Sequence, residues 1–310
     1  MLMNKFFKHS LFTCCATIAL SACDTVTHPD NSLAVATWNT EHLAENNDQG
    51  CKARSEADYK ELKAYASSLN ADVVALQEVE SAKAVARIFP EKEWQIIISD
   101  RPDSQTYTCR ESGLTSTQQK VAFVVRNSVK IDSVEQLKAI AAPRAGLRQG
   151  IKLTIQHEDE KLHIVNLHLK SGCFVDDYLD SDKESCAVLS QQIKILDNYL
   201  ESQQLNQENW IVLGDFNHRL ANPNNRFRKD LFHSPGLFGD KSFPNNQLQN
   251  LTDGKTGCHP KYPAPIDHIF VSSALSTKYN SESLKFHYFD NMNIDDMLSD
   301  HCASSAHFTF

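Results

Sequence analysis

Short runs of apolar residues recur along this chain, and most of them stop at an acid, an amide or an imidazole. Leu33 to Trp38 is followed by Asn39-Thr40-Glu41, and Val73 to Leu76 by Gln77-Glu78. Leu162 to Leu169 contains Asn166 and His168 and runs into Lys170-Ser171-Gly172, whereas Trp210 to Leu213 runs into Gly214-Asp215-Phe216-Asn217. Ile266 to Val271 has Asp267 and His268 at its start, and Ser299-Asp300-His301 precedes the last run, Ala303 to Phe310. Apolar runs this short, rich in β-branched residues, read as core strands. If their polar ends meet on one edge, the result is a cleft rich in oxygen ligands and holding two histidines.

Trp94 to Ile98, Val121 to Val125 and Ile151 to Ile155 are further strand candidates. Two helices interrupt them. Ser55 to Leu69 spaces Ala57, Leu62, Tyr65, Ala66 and Leu69 at helical intervals, and Cys186 to Leu200 puts Val188, Leu189, Ile193, Leu196 and Leu200 on one side. Many strands follow one another with no helix between, which excludes a simple doubly wound sheet. The pattern predicts an α/β fold, a four-layer sandwich of two packed, mainly antiparallel sheets flanked by helices. No repeat, low-complexity tract or linker divides residues 33–310, which are expected to form one domain. Asp100 to Gln119 and Asn222 to Pro265 are too long for plain connections, and loops of that length often hold function.

The start of the chain predicts export. Lys5 and Lys8 precede the apolar stretch Leu11 to Leu20, and Leu20-Ser21-Ala22-Cys23 closes it, the layout of a secretory leader over residues 1–22. The stretch is shorter than the roughly 20 residues that a membrane-spanning helix needs. Leucine fits poorly three residues before an ordinary cut, whereas Leu-Ser-Ala-Cys resembles a bacterial lipobox. Cys23 is therefore the expected lipidation site, with 23–32 as a polar tether. The expected product is a membrane lipoprotein facing the periplasm or on the cell surface, and monomeric. Of nine cysteines, Cys14 and Cys15 leave with the leader and Cys23 takes lipid. Cys51, Cys109, Cys173, Cys186, Cys258 and Cys302 remain, enough for three disulfides in an oxidising compartment. Their pairing is open, except that Cys173 and Cys186 lie close across an acidic loop. No C-x-x-C pair or H-E-x-x-H motif supports a zinc site. Removing Lys5 and Lys8 takes the formal net charge from −8 to −10. An acidic body repels polyanions at long range, which counts against tight nucleic-acid binding but not against local capture of one phosphate.

Taken in order, these strand ends resemble the endonuclease/exonuclease/phosphatase superfamily, from about Ala34 to the C-terminus. That resemblance implies a metal-dependent phosphoesterase. In-line attack of water on a phosphodiester builds negative charge on phosphate oxygens, and a hard cation such as Mg²⁺, with Mn²⁺ and Ca²⁺ as alternatives, takes oxygen ligands and stabilises that charge. Glu78 is the first candidate ligand, with Asn39, Glu41 and Asp300 beside it. His301 is the expected general base, because an imidazole titrates near neutral pH, and Asp267 is expected to orient it. Asp215 and Asn217 are expected to share one face by their spacing, Asn217 donating to a phosphate oxygen. Asp215 would bind water, metal or a proton. His168 resembles the second histidine of the deoxyribonuclease branch, a phosphate contact or general acid. Arg144, Arg148, Lys170 and Arg219 are candidate phosphate contacts. Asn166 and His268 read as supporting residues.

Nucleic acid, DNA or RNA, is the expected substrate and partner. A lipid or inositol phosphate is the alternative, because Gly214-Asp215-Phe216-Asn217-His218-Arg219 is similar to a 5-phosphatase pattern. Pro263-Ala264-Pro265-Ile266-Asp267-His268 lacks the tryptophan, cysteine and arginine of that branch's second signature. A silent binding module would show a missing core residue, and none is missing.

Overall fold

The computed structural model describes residues 31–203, 205, 207–232 and 248–310. The expected leader, Cys23 and most of the tether lie outside the described residues. Twelve strands are described: β1 Ser32–Leu43, β2 Val73–Val79, β3 Trp94–Ile98, β4 Lys120–Arg126, β5 Lys130–Leu137, β6 Gly150–His157, β7 Glu160–His168, β8 Asn209–Asp215, β9 Leu248–Asn250, β10 Asp267–Ser272, β11 Lys285–His287 and β12 Ala303–Thr309. They form two six-stranded sheets, ordered β11-β12-β1-β2-β4-β3 and β5-β6-β7-β8-β10-β9. Among the described residues there are five α-helices, α1 Glu56–Ser68, α2 Ala82–Ile88, α3 Glu184–Glu201, α4 Arg226–Phe232 and α5 Ser273–Ser276.

Period-two alternation sorts the apolar residues into layers. On β1, β2 and β4, Leu33, Val35, Val73, Ala75, Phe123 and Val125 face the second sheet and meet Leu153, Ile164, Ile211 and Ile269. The alternate residues Ala36, Trp38, Val74, Leu76 and Val124 pack outward on Tyr59, Leu62 and Ala66 of α1 and Val85 and Ile88 of α2. On the second sheet, Val165, Trp210, Val212 and Phe270 pack outward on Leu189, Ile193 and Leu196 of α3. The result is the four-layer sandwich expected, in mixed sheets.

Helix α1 starts where its sequence says. Ser55 accepts from the Asp58 backbone N–H while the Asp58 carboxylate accepts from the Ser55 N–H, a reciprocal cap. Two parallel pairs, β1 with β2 and β7 with β8, sit near the centres of the sheets, and their C-terminal ends point to the same edge. Antiparallel β10 and β12 begin at that edge. Three strands are not visible as apolar runs: β5 lies mostly exposed at the margin of its sheet, and β9 and β11 have only three residues each. Three disulfides are present, Cys51–Cys109, Cys173–Cys186 and Cys258–Cys302, and the second is the expected pair. Among the described residues no helix is long and apolar enough to cross a membrane.

Candidate active site

On the second sheet His168, Asp215 and Asp267 are register partners on three neighbouring strands, so their side chains leave the sheet in a row. Gly214 makes the row possible. Its φ is +131°, and a Cβ there would fall 2.0 Å from the Leu167 carbonyl oxygen, so no other residue fits where β8 closes on β7.

Asp215 is the hub. Its Oδ2 accepts from Asn39 Nδ2 at 2.9 Å and Asn217 Nδ2 at 3.0 Å, and its Oδ1 accepts from the Asn217 backbone N–H at 2.7 Å. His168 Nε2 lies 3.4 Å from Oδ2 and His301 Nε2 lies 4.0 Å from it. Asn217 therefore reaches the site differently from the strand spacing expected. It lies past the end of β8 with φ +52°, and a short turn, closed by its N–H on Asp215, folds its amide back.

The first sheet supplies the other half. Glu78 has φ +59° in an irregularity of the β2–β4 pairing, which turns its carboxylate toward the cleft. Its Oε1 is 3.4 Å from Asn39 Nδ2 and 3.6 Å from His168 Nε2. Glu41 Oε2 accepts from the Asp300 N–H at 2.9 Å. His301 Nδ1 donates to Asp267 Oδ2 at 2.7 Å, the orientation expected from the sequence. Asn166 and His268 hold the frame. Asn166 crosses between sheets to donate to the Leu76 and Ala122 carbonyls, and His268 bonds Thr252 and the His218 carbonyl.

Charge is crowded here. Burial, with Asp267 adjacent, pushes the Asp215 carboxyl up to about 7. Glu41 and Asp300 are also raised, first by burial and then by neighbouring carboxylates. Burial opposes charge on His301, but Asp267, Asp300 and Asp215 outweigh it and raise this imidazole well above its ordinary value. His168 is buried beside Arg148 and driven well below, so it is neutral. Burial alone would raise Glu78, yet His42 and Arg148 bring it down.

Asp215, Asp267 and His301 offer ligand atoms within 4.8 Å of one another, a grouping able to hold a metal ion. Crowded acids and the partnerless buried Asp267 Oδ1 fit a divalent cation. The oxygen-rich side of the cleft is Asn39, Glu41, Glu78 and Asp300. His301, carrying a proton on each nitrogen when charged, has no lone pair for a metal.

The cationic candidates divide. Arg148 donates to the Leu169 carbonyl at 2.8 Å and lies close enough to Glu78 and Asp215 to influence both. Lys170 donates to the Ser171 carbonyl at 2.6 Å. Arg219 lines a cavity of ≈ 430 Å³ beside Asp267 and His301. Arg144 pairs with Glu184 at 3.1 Å on the exposed surface.

Several residues escaped the sequence reading. His42, with φ +56°, puts Nε2 3.6 Å from Glu78 and 3.1 Å from Gln119. Buried Arg54 donates to the carbonyls of Thr40, Glu41 and Leu298 at 2.9, 2.9 and 2.6 Å, and to that of His42 at 3.4 Å. Arg54 and Gln119 lie outside the apolar runs, and His42 comes after the polar end Asn39-Thr40-Glu41 of the first one.

A two-sheet sandwich with carboxylates, amides and two histidines gathered at one edge defines a phosphoester hydrolase. The chain belongs to the Endonuclease/Exonuclease/phosphatase family, whose model matches residues 36–301. No curated protein matches it significantly in sequence. Among solved structures it resembles D. rerio TDP2 complexed with single strand DNA product, at TM-score 0.60 and 15% identity, covering 90% of this chain and 99% of that one. It also resembles the Neisseria meningitidis 3′-5′ exonuclease NExo, at TM-score 0.58 and 17% identity over 90% and 100%. The human Nocturnin catalytic domain with bound sulfate gives TM-score 0.56 and 18% identity over 90% and 95%. At these identities the likeness to solved structures speaks for the fold.

Proposed function

We propose that this protein is an exported endonuclease that hydrolyses phosphodiester bonds in DNA or RNA. Residues 1–22 act as leader, 23–32 as a tether lipidated on Cys23, and 33–310 as one catalytic domain, working as a monomer at a periplasm-facing or cell-surface membrane. The observation that carries the catalytic reading is the row His168, Asp215 and Asp267 facing His301, with His301 held by Asp267 at 2.7 Å. The TDP2 complex with a DNA product and the exonuclease among similar folds support a nucleic-acid substrate. The Lys5–Cys23 pattern supports export.

Glu78, with Asn39, Glu41 and Asp300, would hold a Mg²⁺-type cation, Mn²⁺ and Ca²⁺ being alternatives. Bound there, such a cation stabilises negative charge growing on phosphate oxygens. Asp215, with its carboxyl near 7, is poised to accept a proton from the attacking water at neutral pH. His301, favoured as an imidazolium, presents its Nε2 proton to a phosphate oxygen, and Asp267 fixes its ring. These duties transfer the base expected at His301 to Asp215. Asn39 and Asn217 steady Asp215 through their amides. His168, 2% exposed, orients Glu78 and Asp215 from below rather than reaching substrate. Arg148, Lys170 and Arg219 contact phosphates, and Arg144 acts from the rim.

The test uses the chain after Cys23, made under oxidising conditions and given plasmid DNA, RNA or phosphoinositides with Mg²⁺ or a chelator. Nucleic acid should be cut with Mg²⁺ only, and not by His301→Ala. Unchanged cutting with chelator or in the variant refutes the mechanism, and turnover of phosphoinositides alone refutes the substrate. Fatty-acid labelling of the full chain should disappear in Cys23→Ala; equal labelling refutes the anchor.

A further inference from the structure

The cavity beside His301 has walls that the hydrolytic chemistry does not use. Phe174 and Tyr262 are 52% and 54% exposed, whereas most aromatic side chains among the described residues are buried. Both rings meet one guanidinium: Arg219 Cζ lies 5.1 Å from the Phe174 centroid and 5.0 Å from that of Tyr262. His259 adds a ring 4.9 Å from Tyr262. Asp267 and His301 line the same cavity.

Each aromatic wall is stapled. Phe174 follows Cys173, which is bonded to Cys186. Tyr262 sits in a loop closed by Gly257 N–H on the Pro263 carbonyl at 2.7 Å, and Cys258 joins that loop to Cys302, the residue after His301. Side chains so exposed would ordinarily be mobile, and fixing their backbones next to the site lowers the entropy lost when they grip a ligand. A guanidinium held over aromatic rings can still donate its N–H groups to an anion.

The chemistry asked of a ligand is then specific: a phosphate at Arg219 and His301, and a planar aromatic ring close by. A nucleotide offers both, and an inositol headgroup has no aromatic ring. Resting on the nuclease reading above, we propose that Phe174, Tyr262 and Arg219 form a stacking subsite for the nucleobase next to the scissile phosphate. A base inside a duplex already stacks on its neighbours, so the subsite selects single-stranded or unstacked positions.

The test uses single-stranded DNA with one hydrolysable linkage, all others being methylphosphonates, and matched strands lacking the base on the 5′ or the 3′ side of it. With Mg²⁺, loss of the base on one side should lower kcat/KM about tenfold or more, the scale of base–aromatic stacking. Phe174→Ala and Tyr262→Ala should lose a similar factor on the intact strand and nothing further on that abasic strand, while Tyr262→Phe keeps the wild-type rate. Thermal melting checks that the exposed substitutions leave the fold intact. Equal cleavage of all three strands by wild type, or equal losses by the variants on intact and abasic strands, overturns the subsite and leaves the nuclease reading standing. No cleavage of any strand by wild type overturns the subsite, and overturns the nuclease reading as well when plasmid DNA and RNA are also left intact.

Discussion

Replacing Arg54 by methionine tests how this site is held in shape. Glu41 and His42 are consecutive residues in the left-handed region, at φ +45° and +56°, and such conformations cost about 1–3 kcal/mol each outside glycine. Arg54 offsets that cost by binding the carbonyls around them, and it bonds Leu298 just before Ser299-Asp300-His301. Hydrogen bonds to a charged donor contribute about 1.5–3 kcal/mol each, and three of these are short. Relief of the strain at Glu41 and His42 recovers part of the loss in Arg54→Met, which leaves a net destabilisation of about 2–4 kcal/mol. The lost contacts free the two segments that bear Glu41 and Asp300, so activity should fall well beyond the loss of folded protein. Urea unfolding followed by tryptophan fluorescence measures the first, and initial rates at a urea-free temperature where the variant is folded measure the second. An unfolding midpoint and kcat both at wild-type values would refute the account. Arg54→Lys, which keeps charge but not the fork, should fall between the two.

Other perturbations have definite signs. Asp215, raised to about 7 from an ordinary 3.8, binds more protons folded than unfolded, so its contribution to stability falls as pH rises between those values. Asp215→Asn should flatten the urea midpoint over that range and abolish cleavage; a wild-type slope in the variant refutes the assignment. His301, also raised, stabilises the fold below its unfolded value and loses that contribution as pH climbs through the folded one. Asp267→Asn should therefore shrink the loss of stability seen above neutrality. Mg²⁺ should raise the melting temperature of wild type by relieving the crowded acids, and a chelator should reverse it. Glu78→Gln should show little shift, and an equal one would remove Glu78 from the metal site. Cys258→Ser with Cys302→Ser opens a link of 44 residues and should cost up to about 4 kcal/mol of stability, read by urea unfolding.

Much of this architecture is written locally. Alternation alone separates Leu33 and Val35, facing between the sheets, from Ala34 and Ala36, facing α1, and the polar residue after each run marks the shared edge. Strand β5 was invisible because an edge strand facing water needs few apolar residues. Asn217 meets Asp215 through a turn, whereas the strand period predicts only a shared face. Arg54 and His42 belong to another class: their importance comes from carbonyls and carboxylates far along the chain, and a side chain that serves distant backbone leaves no spacing to detect. The charge on His301 depends on three acids from separate segments, so its protonation could not be read from an Asp-His pairing alone.

Asn166 crosses from β7 to the Leu76 and Ala122 carbonyls of the opposite sheet, near where the β2–β4 pairing departs from regular register at Glu78. Each sheet brings half of the reactive groups, and neither half does chemistry alone. Enzymatic activity in this protein is thus a gauge of how two slabs are aligned. A substitution deep between them, remote from any phosphate, should register as a fall in turnover while the molecule still melts as a single cooperative unit.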